Sequence, residues 1–467
     1  MSIICDLHCH PTLKPFGQTF SQPPSQSASN KTNIWYYDNL GSFEKFIEKT
    51  ITIAKYTQSD FTSCAKGNVK IIGASLYAPE ISFFENNIQI PWIAEKIGNF
   101  ITDFGIDRIE EITGNQYDYY IDILRQYNFL KSLEGKQVKI GEKFFTYKIV
   151  KNWSETQACL NSSANILAIF LTIEGGHAFG GGKDPQHHPT PEKTILDNVS
   201  ELLNWEHKPF YITFAHHFYN ELCGHSKSIP DYLSILLDQS YGLNLEMNET
   251  GKKVAEKLIS GPSPILIDVK HMSIKARQQY YEILEKYPQL PIIFSHGGVN
   301  GLKNFEEAGK EIPKSLFNEG NISLFDNEIA LIAKSKGIIG LNLDQRVMSS
   351  KYAKRQNLFR ICKSQKLWHW SGLIWNNAAH VAKILDREGL PAWDNICMGT
   401  DFDGQINPAN YFWTEEFMPL FKEQIILHAN SLIKSKCLSQ QNQLDPAEIA
   451  EKIMSKNLMS FLQENFV

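Results

Sequence analysis

Several features of membrane, secreted and nucleic-acid-binding proteins are missing from this sequence of 467 residues. It has no apolar run close to the roughly 20 residues that span a bilayer, and its first residues lack the basic region and the cleavage site of a signal peptide. It also lacks a long run of lysine and arginine, and its formal net charge is −5. We therefore expect neither a membrane nor a nucleic acid as a partner.

The eight cysteines form no CxxC pair and no dense framework. In a chain this long, scattered cysteines are typical of reduced thiols, several of them buried. Together with the missing signal peptide, this pattern predicts a cytoplasmic protein.

Short β-branched and aliphatic runs recur along the chain, and segments with helical spacing separate most of them. The runs occupy residues 2–9, 70–78, 166–174, 210–216, 265–271, 291–296, 337–343 and 395–401. Near-continuous apolar runs are typical of parallel strands that are buried on both faces. Eight such strands with helical crossovers predict an α/β protein, a single (β/α)8 barrel of the TIM type, with an open doubly wound sheet as the alternative.

Two insertions lengthen this pattern, one after each of the first two predicted strands. Residues 11–68 include a stretch almost without aliphatic residues at 18–32, which predicts a mobile loop. Residues 79–165 predict two or three helices, then a hairpin at 137–150 and a further helix. Both insertions leave the carboxyl ends of strands, where barrels keep their active sites, so we expect lids or substrate walls. The alternative is that the insertions only add structure to the exterior of the barrel.

Polar side chains interrupt the predicted strands at their carboxyl ends. Three-residue windows at eight strand ends would hold fewer than one of the 14 histidines by chance, yet six histidines lie there. The polar residues at these ends are His8, His10, Glu174, His216, His217, His271, His296 and Asp401. Because these ends meet at one mouth of a barrel, the sequence predicts one shared site.

The spacing within this set predicts a metal centre. His8 and His10 lie two residues apart and therefore face the same side of a strand. Four imidazoles and one carboxylate suit a pair of borderline ions such as Zn²⁺ better than calcium or magnesium. The predicted ligands are His8, His10, Glu174, His271 and His296, with Glu174 bridging the two metals.

Several neighbours of these ligands have expected roles of their own. Asp6 lies on the same strand face as His8, and we expect it to orient an imidazole from behind. Gly175 and Gly176 are expected to relieve crowding beside Glu174. His217 is one residue out of register with His216 and is expected to face away from the site.

The chain resembles the membrane (renal) dipeptidase family of the amidohydrolase superfamily, in order and over most of its length. The matching segments are DLHCH (6–10), LTIEGGH (171–177), FYITFAHHFYNELC (210–223), ILIDVKHMS (265–273), PIIFSHGG (291–298), KGIIGLNL (336–343) and MGTDFDG (398–404). The resemblance implies that His8, His10 and Glu174 bind one metal, and that Glu174, His271 and His296 bind the other. It further implies that His216 contacts the substrate, that Asp401 handles the proton, and that the protein is a homodimer.

Two departures from the family concern charge. Where the family has His-x-Asp on the first strand, this chain has His-x-His, which removes a negative charge and should make the first metal more Lewis-acidic. The family's arginine that grips the carboxylate of a dipeptide corresponds to Gly320 here. Lys303 or Arg346 are the substitutes that the sequence offers for binding the substrate.

These observations predict a binuclear metal-dependent hydrolase that cleaves the amide bond of a dipeptide or another small molecule. A metal-bridging hydroxide is expected to attack the carbonyl, Asp401 to accept the proton, and His216 to stabilise the oxyanion. One alternative is an amidohydrolase that acts on a lactone, an ester or a cyclic amide. Another is a metal-binding scaffold without catalysis.

Overall fold

The computed structural model describes residues 2–20, 22–41, 54–84, 104–180, 188–229, 237–356 and 362–467. Its strands are β1 (Ile4–Cys9), β2 (Val69–Leu76), β3 (Val138–Ile140), β4 (Lys143–Ile149), β5 (Asn165–Glu174), β6 (Tyr211–Thr213), β7 (Leu266–Asp268), β8 (Ile293–Gly297), β9 (Ile338–Leu341) and β10 (Ile396–Met398). Eight of them pair in parallel in the order β1-β2-β5-β6-β7-β8-β9-β10. This order follows the chain without reversal, which confirms the predicted (β/α)8 barrel and excludes a doubly wound sheet.

Two backbone hydrogen bonds join the last barrel strand to the first. The carbonyl of His8 accepts from the amide of Asp401 at 2.9 Å, and the amide of His10 donates to the carbonyl of Phe402 at 2.8 Å. These bonds bring the carboxyl ends of β1 and β10 together. The seam of the barrel therefore lies directly beside the predicted site.

Helices connect the strands and cover the barrel. They are α1 (Leu13–Gly17), α2 (Phe61–Lys66), α3 (Ile106–Thr113), α4 (Tyr119–Leu133), α5 (Trp153–Asn161), α6 (Glu192–Leu202), α7 (Glu249–Ile259), α8 (Ile274–Leu284), α9 (Asp326–Lys334), α10 (Gln345–Met348), α11 (Lys351–Arg355), α12 (Lys363–Arg387), α13 (Met418–Lys434), α14 (Pro446–Glu451) and α15 (Asn457–Asn465). None of the described helices is long and apolar enough to cross a membrane.

Local sequence explains where these helices begin and which face they bury. The side chain of Asn248 accepts from the amide of Gly251 at the start of α7, and Ser273 caps α8 through the amide of Ala276. Such caps satisfy backbone N–H groups that the first helical turn leaves unpaired. In α7 the apolar residues at helical spacing are buried, and they include Val254 and Leu258. Burying this stripe against the barrel stabilises the helix more than its propensity does.

The two insertions add structure around the barrel. Residues 11–68 contain α1 and α2, and they bury Ile34 and Trp35 in the main hydrophobic core. The described part of 18–32 contains no helix or strand. In the second insertion β3 and β4 form an antiparallel hairpin, and β4 pairs in parallel with β5. Residues 42–53 and 85–103 of the predicted insertions lie outside the described residues.

All eight cysteines lie in the described ranges, and none forms a disulfide. Six are buried, whereas Cys362 and Cys437 are exposed. Burial raises the pKa of the Cys5 and Cys9 thiols on β1 well above the ordinary range. These two thiols therefore act as small apolar side chains in the wall of the barrel.

Candidate metal centre

A cavity of about 1210 Å³ opens at the carboxyl ends of the barrel strands. Its lining includes most of the predicted site residues, namely His10, Glu174, His216, His271, His296, Arg346 and Asp401. His8 lies beneath them and is fully buried. Leu13 and Phe83, from the two insertions, and Tyr77, directly after β2, complete part of the wall. The insertions therefore contribute to the cavity as well as to the exterior.

The carboxylate of Glu174 lies at the centre of a group of imidazoles. Five Nε2 atoms approach its two oxygens, those of His10 at 3.0 Å, His296 at 3.4 Å, His8 at 3.6 Å, His216 at 3.6 Å and His271 at 3.7 Å. Side chains from β1, β5, β8 and the residues after β6 and β7 thus converge on one point. The structure brings together every predicted ligand and adds His216 to the group.

Three sets of donor atoms in this group lie within 4.8 Å of one another. They are His8, His10 and Glu174; Glu174, His216 and His271; and His8, His296 and Asp401. The first set matches one predicted metal site. The second shares Glu174 and His271 with the other predicted site but has His216 in place of His296. The Nε2 atom of His296 lies 3.3 Å from that of His271, so both imidazoles remain within reach of one ion.

Several nitrogens of this group are buried without a hydrogen-bond partner among the described residues. They include Nε2 of His8, both ring nitrogens of His10 and Nδ1 of His271. Leaving a buried polar atom unsatisfied costs about 1–3 kcal/mol, so native proteins rarely tolerate several at one place. Divalent cations held between these nitrogens and Glu174 would satisfy those that face the carboxylate. The donor set therefore fits a metal centre.

Hydrogen bonds behind two of the imidazoles leave their Nε2 atoms free to bind a cation. The Tyr211 hydroxyl donates to the carbonyl of Leu7 at 3.1 Å, so it accepts from Nδ1 of His8, which lies 2.9 Å away. In the same way Ser295 donates to Asp268 at 2.5 Å and accepts from Nδ1 of His296 at 2.8 Å. Each ring is then protonated on Nδ1, and its Nε2 lone pair points to Glu174.

Asp6 does not have the expected role of orienting an imidazole. Its carboxylate accepts from the backbone amide of His8 at 3.2 Å, and from the amide and hydroxyl of Thr400 at 2.9 and 2.6 Å. The side chain points to the seam between β1 and β10, because Thr400 lies two residues after the end of β10. Asp6 therefore holds the two strands together, while Tyr211 and Ser295 orient the imidazoles.

Glu80 is a site residue that the sequence analysis missed. Its Oε2 lies 2.5 Å from Nδ1 of His216, and its Oε1 accepts from the amide of Phe218 at 3.0 Å. Burial alone would raise the pKa of Glu80, but the nearby imidazole of His216 lowers it to about 2. The hydroxyl of Tyr77 adds a hydrogen bond at 3.1 Å. A charged Glu80 thus fixes His216, with its Nε2 towards Glu174.

The expectation that His217 faces away from the site is wrong. Its ring centroid lies 3.9 Å from that of His216 and 5.1 Å from that of His271, and it lines the same cavity. Strand β6 ends at Thr213, so the alternation of strand faces does not reach residues 216 and 217. Nδ1 of His217 lies 2.6 Å from the hydroxyl of Ser228, which holds the ring in place.

Backbone conformation also shapes the site. His271 and Asp401 have φ angles of 66° and 61°, in the left-handed region that residues with a side chain seldom adopt. Such strain concentrates at functional sites, where the surrounding structure maintains it. Gly175 has a φ of 94°, and a Cβ there would lie 2.1 Å from the His177 ring. The predicted need for glycine beside Glu174 is therefore confirmed at this position.

Asp401 and Lys270 form the polar wall beside the imidazoles. Oδ2 of Asp401 accepts from the side chain of Asn342 at 3.1 Å, its Oδ1 lies 3.5 Å from Nε2 of His10, and burial raises its pKa. Lys270 also lines the cavity and is only 1% exposed. Burial lowers the pKa of Lys270 to about 8, and among the groups that oppose this Asp401 acts most strongly.

The two predicted substitutes for the family's arginine lie in different places. Arg346 lines the cavity, but its guanidinium donates to Asp344 at 2.6–3.0 Å and to the carbonyl of Gln405 at 3.0 Å. Lys303 is exposed and is not among the described residues that line the cavity. Its carbonyl accepts from the amide of Asn327 at the start of α9.

Comparisons with solved structures agree with this architecture. The dipeptidase AC, a metallopeptidase of family M19, matches with a TM-score of 0.52 and 12% identity over 99% of this chain and 98% of that chain. A metallopeptidase from Rhodobacter sphaeroides, solved with a phosphinate mimic of the dipeptide L-Ala-D-Ala, matches with a TM-score of 0.51 and 11% identity over 99% of both chains. No protein-family model and no curated protein matches this sequence.

This chain has the fold of those two metallopeptidases. At 11–12% identity the likeness concerns the fold alone, and at that level it agrees with the resemblance to the membrane dipeptidase family. The chemistry of the site has to be argued from its own residues.

Proposed function

We propose that this protein is a binuclear metal-dependent hydrolase that cleaves the amide bond of a dipeptide-like substrate. The observation that carries the proposal is the convergence of five imidazole Nε2 atoms within 3.7 Å of the Glu174 oxygens. A cluster of buried imidazoles with several unsatisfied nitrogens around one carboxylate is costly unless cations occupy it. The resemblance to dipeptidases, which rests in part on the segments that contain these residues, supports the same proposal.

We assign the two ions to the residues that the sequence predicts. His8, His10 and Glu174 would hold one ion, and Glu174, His271 and His296 the other. Imidazole nitrogens with one carboxylate favour Zn²⁺ over Mg²⁺ or Ca²⁺, which prefer oxygen ligands. When bound, two such ions supply Lewis acidity and lower the pKa of a coordinated water towards neutrality.

The remaining polar residues handle the proton and the substrate. Burial raises the pKa of Asp401, which makes its carboxylate a better proton acceptor than an exposed one. We propose that Asp401 takes the proton of the attacking water and returns it to the leaving amine. His216, fixed by Glu80, is placed to stabilise the oxyanion that develops on the substrate carbonyl.

A second substrate class has specific observations in its favour. Gly320 stands where the family has its carboxylate-binding arginine, and Arg346 already donates to Asp344. A lactone, an ester or a cyclic amide needs no such arginine. The metal centre and Asp401 would act on these bonds by the same chemistry.

Metal analysis and a substrate panel test the proposal together. The protein is loaded with Zn²⁺, the ions per chain are counted by mass spectrometry, and activity is measured on dipeptides, lactones and nitrophenyl esters. We expect two ions per chain and hydrolysis of dipeptides, and Glu174→Ala should lose both. Full metal occupancy without hydrolysis of any substrate would contradict the proposal and favour a metal-binding scaffold. Hydrolysis of lactones or esters alone would favour the second substrate class.

The same metal analysis and assays distinguish two roles for His216, namely contact with the substrate and binding of a metal. His216→Ala should keep two ions per chain and lose activity if the residue contacts the substrate. Loss of one ion from this variant would instead make His216 a metal ligand together with Glu174 and His271, a set whose donor atoms lie within 4.8 Å.

A further inference from the structure

Lys14 is a buried lysine of the first insertion that forms an ion pair with Asp403, two residues after Asp401. It lies in α1 and is only 7% exposed. Its Nζ lies 2.9 Å from Oδ1 of Asp403, and it donates to the carbonyls of Ala54 at 3.2 Å and Tyr56 at 2.5 Å. All three N–H donors of the ammonium group therefore have acceptors.

Among the described residues, only the first insertion contacts the carboxylate of Asp403 through polar atoms. The carboxylate accepts from the amide of Gln58 at 3.0 and 3.1 Å, and from the amide and hydroxyl of Ser59, both at 2.7 Å. In return, Oε1 of Gln58 accepts from the amide of Asp403 at 3.1 Å. Hydrogen bonds to a charged group are the stronger ones, and a buried carboxylate requires them. Lys14 adds the only cation to this set.

The backbone from Asp401 to Gln405 forms a turn with an unusual conformation. Asp401, Asp403 and Gln405 have φ angles of 61°, 66° and 61°. Residues with a side chain seldom adopt this left-handed region, so the surrounding structure has to maintain it. The amide of Gly404 donates to the carbonyl of Asp401 at 3.0 Å, which closes the turn. The ion pair with Lys14 is made by the middle residue of this turn.

Gly404 joins Asp403 to the carboxylate of Asp401. A Cβ on Gly404 would lie 2.0 Å from Oδ1 of Asp401, so the main chain packs closely against that oxygen. Because Gly404 follows Asp403 directly, a shift of Asp403 moves the main chain beside Oδ1. The same oxygen lies 3.5 Å from Nε2 of His10. Contacts therefore run from Lys14 through Asp403 and Gly404 to a carboxylate at the candidate metal centre.

We propose that Lys14 is a positioning residue, which holds the turn that keeps the Asp401 carboxylate in the place where it accepts the proton. The inference rests on the proposed function, in which Asp401 is the proton acceptor. It gives the first insertion a role in catalysis besides that of a cavity wall. A misplacement of about 1 Å, caused by a change far from the reacting atoms, can lower a rate by about a hundredfold.

Two substitutions remove the ion pair from opposite ends. Lys14→Met removes the charge but keeps a flexible chain of similar length, and Asp403→Asn keeps the size of the partner. Each is made in the wild type and in Asp401→Asn. Lys66→Met is the control, since Lys66 lies in α2 of the same insertion and its pairing with Glu416, at 3.7 Å, is partly exposed. We measure kcat, KM and ions per chain for every variant, and thermal unfolding shows whether it is folded.

In the wild type we expect either substitution to lower kcat by about tenfold, with KM within about twofold and the metal content unchanged. In Asp401→Asn the same substitutions should lower kcat by less than about twofold, because the carboxylate that they misplace is already absent. The control should behave as the wild type. An equal loss of kcat in both backgrounds, or no loss in either, overturns the inference, because a general loosening of the site would act in both.

Hydrogen exchange gives a readout without turnover. The amides of Asp401 and Gly404 donate to backbone carbonyls in the wild type, so they should exchange slowly. Lys14→Met should speed the exchange of peptides that cover residues 399–406 by at least about tenfold and leave the peptides of β5 unchanged. Equal rates in wild type and Lys14→Met overturn the inference at any level of activity. If the metal-loaded wild type hydrolyses no substrate, the proposed function fails on its own, and the exchange rates still decide whether Lys14 holds the turn.

Discussion

Nδ1 of His216 lies 2.5 Å from Oε2 of Glu80, and both side chains are buried. The contact joins a residue of the second insertion to a residue that follows β6. Because the other oxygen of Glu80 accepts from the amide of Phe218, the carboxylate holds both the ring and the backbone beside it. An inserted segment thereby positions a side chain of the candidate site.

Glu80→Gln should lower kcat by about tenfold and leave the metal content unchanged. The amide keeps the size of the side chain but loses the negative charge that fixes His216, so the oxyanion is stabilised less well. Steady-state kinetics and metal analysis measure these effects. Glu142→Gln, on the fully exposed turn of the hairpin, serves as the control. Unchanged kcat in Glu80→Gln would show that the contact only supports the local structure.

Asp401→Asn should bind two ions but lower kcat by about 10²–10⁴-fold, which is the usual contribution of a positioned general base. The asparagine keeps the shape of the side chain and an oxygen for the hydrogen bond from Asn342, so the fold should be preserved. Kinetics, metal analysis and thermal unfolding distinguish the outcomes. Turnover at the wild-type rate would remove Asp401 from the mechanism.

His271→Ala should lose at least one ion, and chelation should then affect its stability less than that of the wild type. Binding of a ligand to the folded state alone stabilises it by about 2.7 kcal/mol at a hundredfold excess over Kd. We therefore expect a chelator to lower the Tm of the wild type by several degrees and that of His271→Ala by less. His428→Phe, whose ring lies between α12 and α13, should keep its metals. Equal shifts in both proteins would argue against a metal at His271.

His428 should make the wild type less stable as the pH falls from about 6.5 to 4. Burial between Trp368 and Trp375 lowers the pKa of His428 to about 4, from an ordinary value of 6.5. The unfolded chain therefore takes up a proton in this range before the folded protein does, and folding loses about 3 kcal/mol. Below pH 4 this loss is complete.

His428→Phe isolates that effect, because every other titrating group is common to both proteins. The variant loses the hydrogen bond between Nε2 of His428 and Ser371, which is 2.9 Å long. This loss changes its free energy of unfolding by the same amount at all pH values. The free energy of unfolding of the wild type minus that of the variant, measured by urea unfolding, should decrease as the pH falls from 6.5 to 4. A constant difference across this range would contradict a lowered pKa.

The barrel and the convergence of the polar residues at its mouth could be predicted from the sequence because both depend on short-range patterns. Near-continuous apolar runs mark the parallel strands, and polar residues directly after them must meet at one mouth of the barrel. The expectation that His8 and His10 face the same side also agrees with the structure, because β1 continues to Cys9. Glu174 could be identified because β5 ends at that residue.

The remaining features depend on where strands stop and how loops pack. Strand β6 ends three residues before His216, so the rule that placed His217 outside the site did not apply. His271 follows β7 in a left-handed conformation that no local sequence pattern predicts. Glu80 reaches His216 only through tertiary packing of an insertion. A carboxylate four residues beyond β2, after an alanine and a proline, is too weak a signal to find from sequence.

The hydrogen bond between the His8 carbonyl and the Asp401 amide joins the first and last strands of the barrel at the candidate metal centre. During translation, these two residues leave the ribosome almost four hundred residues apart. A nascent chain that has not yet exposed β10 already carries all five proposed ligands, but the edge of β1 that holds His8 and His10 is still unpaired. We therefore expect the proposed ions to bind tightly only after β10 has paired with β1, so that metal loading would follow closure of the barrel.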